Sequence, residues 1–252
     1  MLDGDGAEGA ISEFGTRNPI YLLPGDAGVG VVHNIGNQIE VSAGYLAGDA
    51  DNPTEGNGLF NGPYSALGQI VFTPNDNLTL AATYIHSYNQ SDTETGSRLA
   101  NLRSLTEDLF QEPVPTVSNS YGLQFSWGIS DRFILGGWAA FSKVTTLSTL
   151  NGQIDRGSQD IINWAATLAF PDLGKEGNLA GIVVGREPYV SDSSIDTFAE
   201  DEDLSLHIEG FYQYKLSDNI SITPGIVWIT APDSNDDNDD LVIGTIRTTF
   251  SF

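Results

Sequence analysis

Residues 120–141 read SYGLQFSWGISDRFILGGWAAF. Tyr121, Leu123, Phe125, Trp127 and Ile129 stand at alternate positions, separated by Gly122, Gln124, Ser126 and Gly128. After a turn at Ser130-Asp131-Arg132 the alternation resumes through Phe133, Leu135, Gly137, Ala139 and Phe141. A period of two sends successive side chains to opposite faces of a sheet. Each of these two strands therefore carries one apolar, aromatic-rich face and one small or polar face. The fold turns on which solvent the apolar face meets.

The same alternation extends over most of the chain and predicts eleven strands, at 27–33, 38–47, 63–73, 77–88, 118–129, 132–143, 159–170, 178–187, 203–216, 219–230 and 240–252. Short turns at 35–37, 74–77, 130–132, 171–177 and 217–219 alternate with long connections at 48–62, 89–117, 144–158, 188–202 and 231–239. Turns at one rim and loops at the other are the pattern of an all-β, antiparallel, up-and-down transmembrane barrel. Residues 27–252 are read as the barrel portion and 1–26 as an N-terminal segment on the loop side. Single-chain bacterial barrels have even strand numbers, so an odd count implies strands upstream or a twelfth strand within SEFGTRNPIYLL (12–23). Pro19 argues against a central strand there.

Strand directions sort the aromatics of the apolar face to both ends. Tyr45, Tyr64, Tyr84, Tyr121, Phe141 and Trp228 fall near the loop rim; Phe72, Trp127, Phe133, Phe170, Tyr214 and Phe252 fall near the turn rim. Between them lie aliphatic residues such as Val41, Ile70, Leu123, Leu135, Val183 and Ile246. Two aromatic girdles around an aliphatic band mark a lipid-facing surface. The opposite face holds Glu40, Gln124, His207, Glu209, Lys215 and Arg247, the candidate pore-lining residues. His86 and Lys143, on the apolar face, lie at its loop-rim ends. The apolar face is thus expected to meet lipid and the polar face water, which places the protein in the outer membrane of a Gram-negative-type bacterium.

Composition narrows the chemistry. A formal net charge of −24 argues against nucleic acid as a partner, and the absence of cysteine excludes disulfides and thiolate metal sites. No apolar run reaches the length of a transmembrane helix, and Met1–Gly6 lacks the basic and apolar regions of a secretory signal. His33, His86 and His207 have no ligand spacing, and no nucleophile motif appears, so neither an enzyme nor a cofactor is expected. Gly25–Gly30 leads into a strand and so does not form a phosphate loop. The acidic run 233–240, with Asp233, Asp236, Asp237, Asp239 and Asp240, reads as a solvated loop, with calcium chelation as the weaker reading because it lacks the Gly and Glu of an EF-hand. Leu99, Leu102, Leu105 and Leu109 predict an amphipathic helix over 97–110. It either caps its loop or folds inward, where Arg98 and Arg103 would constrict the passage.

The stretches SAGYLAGDADNPTEGNGLFNGPYSALGQIVFTPNDNLTLAATYIHSY (42–88), EGFYQYKLSDNISITPGIVWITAP (209–232) and LVIGTIRTTFSF (241–252) resemble OprB-type carbohydrate-selective porins. The likeness is to the branch of long porins with an N-terminal surface-layer-homology domain. It implies the C-terminal part of a larger barrel of about sixteen strands, open to passive diffusion of small hydrophilic solutes, above all carbohydrates. Uptake of inorganic ions, iron species included, is the alternative that the acidic loops favour. A non-conducting structural or adhesive barrel is a third. The partners implied are outer-membrane lipid and small solutes such as sugars or ions, with homo-oligomer formation left open.

Overall fold

Alternation of this length becomes stable only when neighbouring strands satisfy each other's backbone groups, and here each does so with the next in sequence. The computed structural model describes residues 9–25 and 27–251. Its strands are β1 (Ala27–Ile35), β2 (Ile39–Ala47), β3 (Tyr64–Asn75), β4 (Leu78–Tyr88), β5 (Thr116–Ser130), β6 (Phe133–Thr146), β7 (Ser158–Pro171), β8 (Leu179–Ser193), β9 (His207–Ser217), β10 (Ile220–Ile229) and β11 (Leu241–Phe250). They form one antiparallel sheet in chain order. The tight ends use residues suited to left-handed backbone: Gly36 closes β1–β2 at φ +65°, and Asp172, Gly174 and Gly177 turn β7 into β8.

Burial in this sheet is inverted relative to a water-soluble sandwich. Leu123 is 66% exposed and Ile246 73%, whereas Gln124, on the other face, is 8% exposed and Glu209 is fully buried. The outward rings gather as expected. Tyr64 stacks with Tyr45 and Tyr88, Tyr84 packs on Tyr121, and Phe133 meets Phe170 at the opposite rim. Outward polar groups near the loop rim have partners: Lys143 Nζ reaches Asp160 at 2.8 Å, and His86 Nδ1 lies 3.0 Å from Asn119 Oδ1. An apolar exterior girdled by aromatics suits hydrocarbon, and Arg186 of β8, in register with the outward Trp164, stacks over the Tyr189 ring and donates to the Asp203 carbonyl. Phe252 lies outside the described residues.

Three local expectations change. Val183 belongs to the polar face, not the lipid band: it pairs with buried Thr167 and is 1% exposed. Its surroundings, AGIVVG, are apolar at both parities, so alternation carries no facing information there. β8 runs on to Ser193 rather than stopping at 187, and β9 starts at His207 rather than 203. The intervening chain satisfies the edge of β8 without extending β9: Asp201 N–H donates to the Val190 carbonyl, and Val190 N–H donates to the Asp201 carboxylate.

The largest change concerns the N-terminal segment. Residues 9–23 do not sit beyond the loop rim, and they add no strand. They form a short helix, α1 (Glu13–Thr16), capped by Ser12, and a 3-10 turn (Pro19–Leu22) capped by Asn18 with Pro19 at its first position. Asn followed by Pro is a helix-start signal, which local propensity imposes over any strand pairing. This segment lies against the polar face. Among the described residues no ladder joins β1 to β11.

Leu123→Arg should cost roughly 2–4 kcal/mol of stability in a bilayer, since it sets a cation on mid-sheet hydrocarbon-facing surface. Leu123→Ala should assemble normally. Heat-modifiable gel mobility and denaturant titration in lipid would check both.

Candidate functional site

A polar sheet face turned away from lipid must find water or polar partners, and in this chain much of it finds residues 9–23. The segment crosses the sheet from β11 to β3 as a strap. At one end the Arg247 guanidinium donates to the Ala10 and Gly9 carbonyls at 2.8 and 3.0 Å. Next, the Glu209 carboxylate accepts from the backbone N–H groups of Ile11 and Ser12 and from the Ser12 hydroxyl. At the far end the Tyr21 hydroxyl meets Thr83 Oγ1 at 2.8 Å and accepts from the amides of Gln69 and Gln124. Ser65 then donates to the Leu23 carbonyl.

Between these polar ties the strap is held by packing. Phe14 is buried with Trp138, Val183 and Phe211, making an edge contact with the Trp138 ring at 5.6 Å. Ile20 and Tyr21 pack with Ile85 and Ala140. Three glycines on the polar face make room for these knobs. A Cβ at Gly225 would stand 2.5 Å from Ile11, at Gly185 2.8 Å from Phe14, and at Gly122 2.6 Å from Ile20. Real Cβ atoms do not approach so closely, so the wall is relieved where the strap presses into it.

His207 connects the strap to the longest loop. Its Nδ1 lies 2.7 Å from Glu187 Oε1, and its Nε2 lies 3.4 Å from Glu209 Oε2 and 3.3 Å from Ser12 Oγ. The other oxygen of Glu187 accepts from Gly96 N–H at 2.8 Å. A continuous polar chain therefore runs from residue 96, through β8 and β9, to the strap. Such buried networks act as units, because any one group left unpaired carries the full cost of its desolvation.

The long loop carries a helix, α2 (Leu102–Phe110), which starts at 102 rather than at 97 and so leaves Leu99 outside it. Leu102, Leu105 and Val114 bury against Leu150, Ile154, Ile195 and Phe198 of two other loops, so the helix is part of an apolar cluster at the loop rim. Arg103 turns away from this cluster, donating to Asn89 Oδ1 and the Val114 carbonyl. It borders a polar cavity of about 650 Å³ between loop and strap, which Glu13, Asp49, Asp92 and Glu94 also line. Burial pushes the Asp92 carboxyl up against the N–H of Ser104 that it accepts from, and lowers the Arg103 guanidinium, which the Asp92 charge opposes. Arg98 is exposed; its backbone N–H donates to Asp233 at 2.6 Å.

The structure thus groups some predicted site residues and separates others. Gln124, His207, Glu209 and Arg247 share the strap's underside. Glu40 and Lys215 lie toward the turn rim, where Glu40 pairs in register with Val71 and Lys215 meets Asp218 at 3.1 Å. Within the acidic loop, Asp240 accepts from the Trp228 indole and Asp233 from Arg98, while the N–H groups of Asp236 and Asp237 donate to Asp203 and Asn235. Asp203 beside Asp236 raises the carboxyl of the latter. Glu187, Trp138, Ser12, Phe14 and Tyr21 were not expected at the site. The sequence signal that could have pointed to the strap is the pair of bare glycines at polar-face positions 122 and 225.

Comparison with known proteins bears on what this arrangement is for. A family model described as the carbohydrate-selective porin, OprB family, matches residues 7–252. An uncharacterized protein of Nostoc sp. is 38% identical over 98% of this chain and 43% of its own length. One of Synechocystis sp. is 33% identical over 98% of this chain and 47% of its own. The chain therefore spans less than half the length of the curated relatives it matches. Among solved structures, Pseudomonas putida OprB superposes with a TM-score of 0.56 at 15% identity, covering 89% of this chain and 58% of that one. OmpT, an outer membrane protein of Vibrio cholerae, gives 0.62 at 12% identity, covering 99% and 71%. At such identities the likeness is one of fold: both are outer-membrane barrels.

Tyr21→Phe should leave the amides of Gln69 and Gln124 facing an apolar ring edge, at a cost of about 1–3 kcal/mol. Differential scanning calorimetry of the folded protein in detergent would show the loss, and protease sensitivity of residues 9–23 should rise with it.

Proposed function

The chain belongs to the carbohydrate-selective porin, OprB, family, and from that premise we propose that it forms wall and loop rim of an outer-membrane channel for passive diffusion of small hydrophilic solutes, carbohydrates foremost. Further strands, from outside these eleven, close the barrel between β1 and β11. The observation that carries this reading is the inverted sheet, apolar outside and polar inside, in a chain whose whole described length fits the family. Its chemistry is that of a channel rather than an enzyme. Water-filled lumen and hydroxyl-rich solutes go together, because a wall of amides, hydroxyls and carboxylates exchanges hydrogen bonds with a sugar at little net cost.

A second reading, uptake of inorganic cations, is favoured by one observation: the cavity at the loop rim sets four carboxylates, Glu13, Asp49, Asp92 and Glu94, against the single guanidinium of Arg103. Fields of one sign in a confined mouth raise the local concentration of the opposite ion.

Liposomes holding the full-length protein should swell in isosmotic monosaccharide and fail to swell in large oligosaccharides. Planar bilayers should show current that added sugar reduces. Ion current without swelling in any sugar would replace the carbohydrate reading with the cation one, and absence of both would leave a structural barrel.

A further inference from the structure

The strap has two sides. Phe14, Gly15, Asn18, Pro19, Ile20 and Tyr21 are buried against the wall, whereas the side chain of Glu13 is 51% exposed and that of Arg17 36%. These two form an ion pair four residues apart on the side turned from the sheet. Beneath the strap, Gln124 and His207 are almost fully buried and Glu209 completely so. The polar residues that sequence places on the lumen wall are thus covered by a segment bearing its own charges.

Resting on the channel reading, we propose that the strap is the solute-facing surface of this wall, and that Glu13 and Arg17 are the residues that discriminate among charged solutes at its level. Gln124, His207 and Glu209 fasten the strap and do not touch what passes. Two independent features support this assignment. The wall residues have their hydrogen-bonding capacity taken up by the strap: Glu209 accepts from Ile11 and Ser12, and Gln124 donates to Tyr21. Glu13, by contrast, opens onto the cavity it shares with Asp92 and Arg103. The sockets at Gly122 and Gly225 supply the second feature, because the Cβ clashes there fall first on strap atoms of Ile20 and Ile11. A wall exposed to solute has no need of such relief. Gly185 differs, since a Cβ there would also strike the Trp164 carbonyl of the neighbouring strand.

The consequence for selectivity follows from screening. A charge facing the aqueous passage within a Debye length of a passing ion acts on it, while a carboxylate enclosed by three donors and a histidine is already compensated. Neutralising Glu13 should therefore move ion preference toward anions, and neutralising Arg17 should move it toward cations. Smaller and cationic or neutral hydrophilic solutes are the class admitted, given the carboxylates of the adjoining cavity.

The chain has no cysteine, so single thiols report accessibility directly. In the full-length protein, reconstituted in liposomes, Glu13→Cys and Arg17→Cys should react with a membrane-impermeant, charged methanethiosulfonate at least about tenfold faster than Gln124→Cys, which needs local opening to react. Adding Gly122→Leu as a wedge should raise the Gln124→Cys rate toward theirs. Labelling is read by mass spectrometry, which does not depend on conduction. In planar bilayers, Glu13→Gln and Arg17→Gln should shift the reversal potential in opposite directions. Equal labelling of residues 13, 17 and 124 overturns the proposal, as does a reversal potential indifferent to both neutral variants in a conducting protein. Differential labelling in a protein that carries neither sugar nor ions would retain the strap's placement and sink the channel reading instead.

Discussion

Hydrocarbon offers no hydrogen bonds, and everything in this molecule follows from that. A backbone that crosses lipid must pair all its N–H and C=O groups internally, which a sheet does only by laddering each strand to its neighbours. Eleven strands in simple sequence order meet this demand everywhere between β1 and β11, with the shortest connections at one rim. The same constraint sorts the side chains. Leu123 and Ile246 can face outward because lipid costs them nothing, and Glu209 must face inward because lipid would. The aromatic girdles at Tyr45–Tyr64–Tyr88 and Phe133–Phe170 mark where hydrocarbon gives way to headgroups.

Turning the polar face inward raises a second demand, which the strap meets. Polar side chains on a concave wall are satisfied by water where the lumen is open and by the chain itself where it is filled. Residues 9–23 fill it along a band from β11 to β3, and they do so as a miniature core: Phe14 and Ile20 supply apolar burial, while Glu209, Arg247, Gln69 and Gln124 supply hydrogen bonds. Neither kind of contact suffices alone. Packing without the Glu209 ties would leave the N–H groups of Ile11 and Ser12, just ahead of α1, unpaired, and ties without the glycine sockets would meet steric overlap. The polar chain from Gly96 through Glu187 and His207 to Ser12 further joins this band to the loop rim. Loop and strap thereby share one set of supports.

The relatives in Nostoc and Synechocystis match over nearly all of this chain and extend well beyond it. The open sides of the sheet agree with that length. Every residue of β1 and most of β11 is exposed in the described structure, which is untenable for strand edges in lipid unless something pairs with them. The reading of a shared channel wall therefore has a backbone argument beneath it as well as a family one.

Sequence by itself determined the strands, their order, the facing of most of them and the solvent on each side. Those properties are local or periodic: alternation has a fixed period of two, turns have their own residues, and the cost of charge in lipid applies at every position alike. It determined less where periodicity carried no contrast, as in AGIVVG, where Val183 was placed on the wrong face because both parities are apolar. The helix α2 was legible from its leucine spacing, although the cluster that buries it, built from three loops, was not. Only the tertiary structure decided where residues 9–23 go, since nothing in a short capped helix states which surface it will cover. Gln124, His207 and Glu209 share the polar sheet face, yet their partners lie as far away in sequence as Ser12 is from Glu209. Facing is a property of a strand; what covers a face is a property of the closed fold, because it depends on which distant segment arrives with matching knobs and donors.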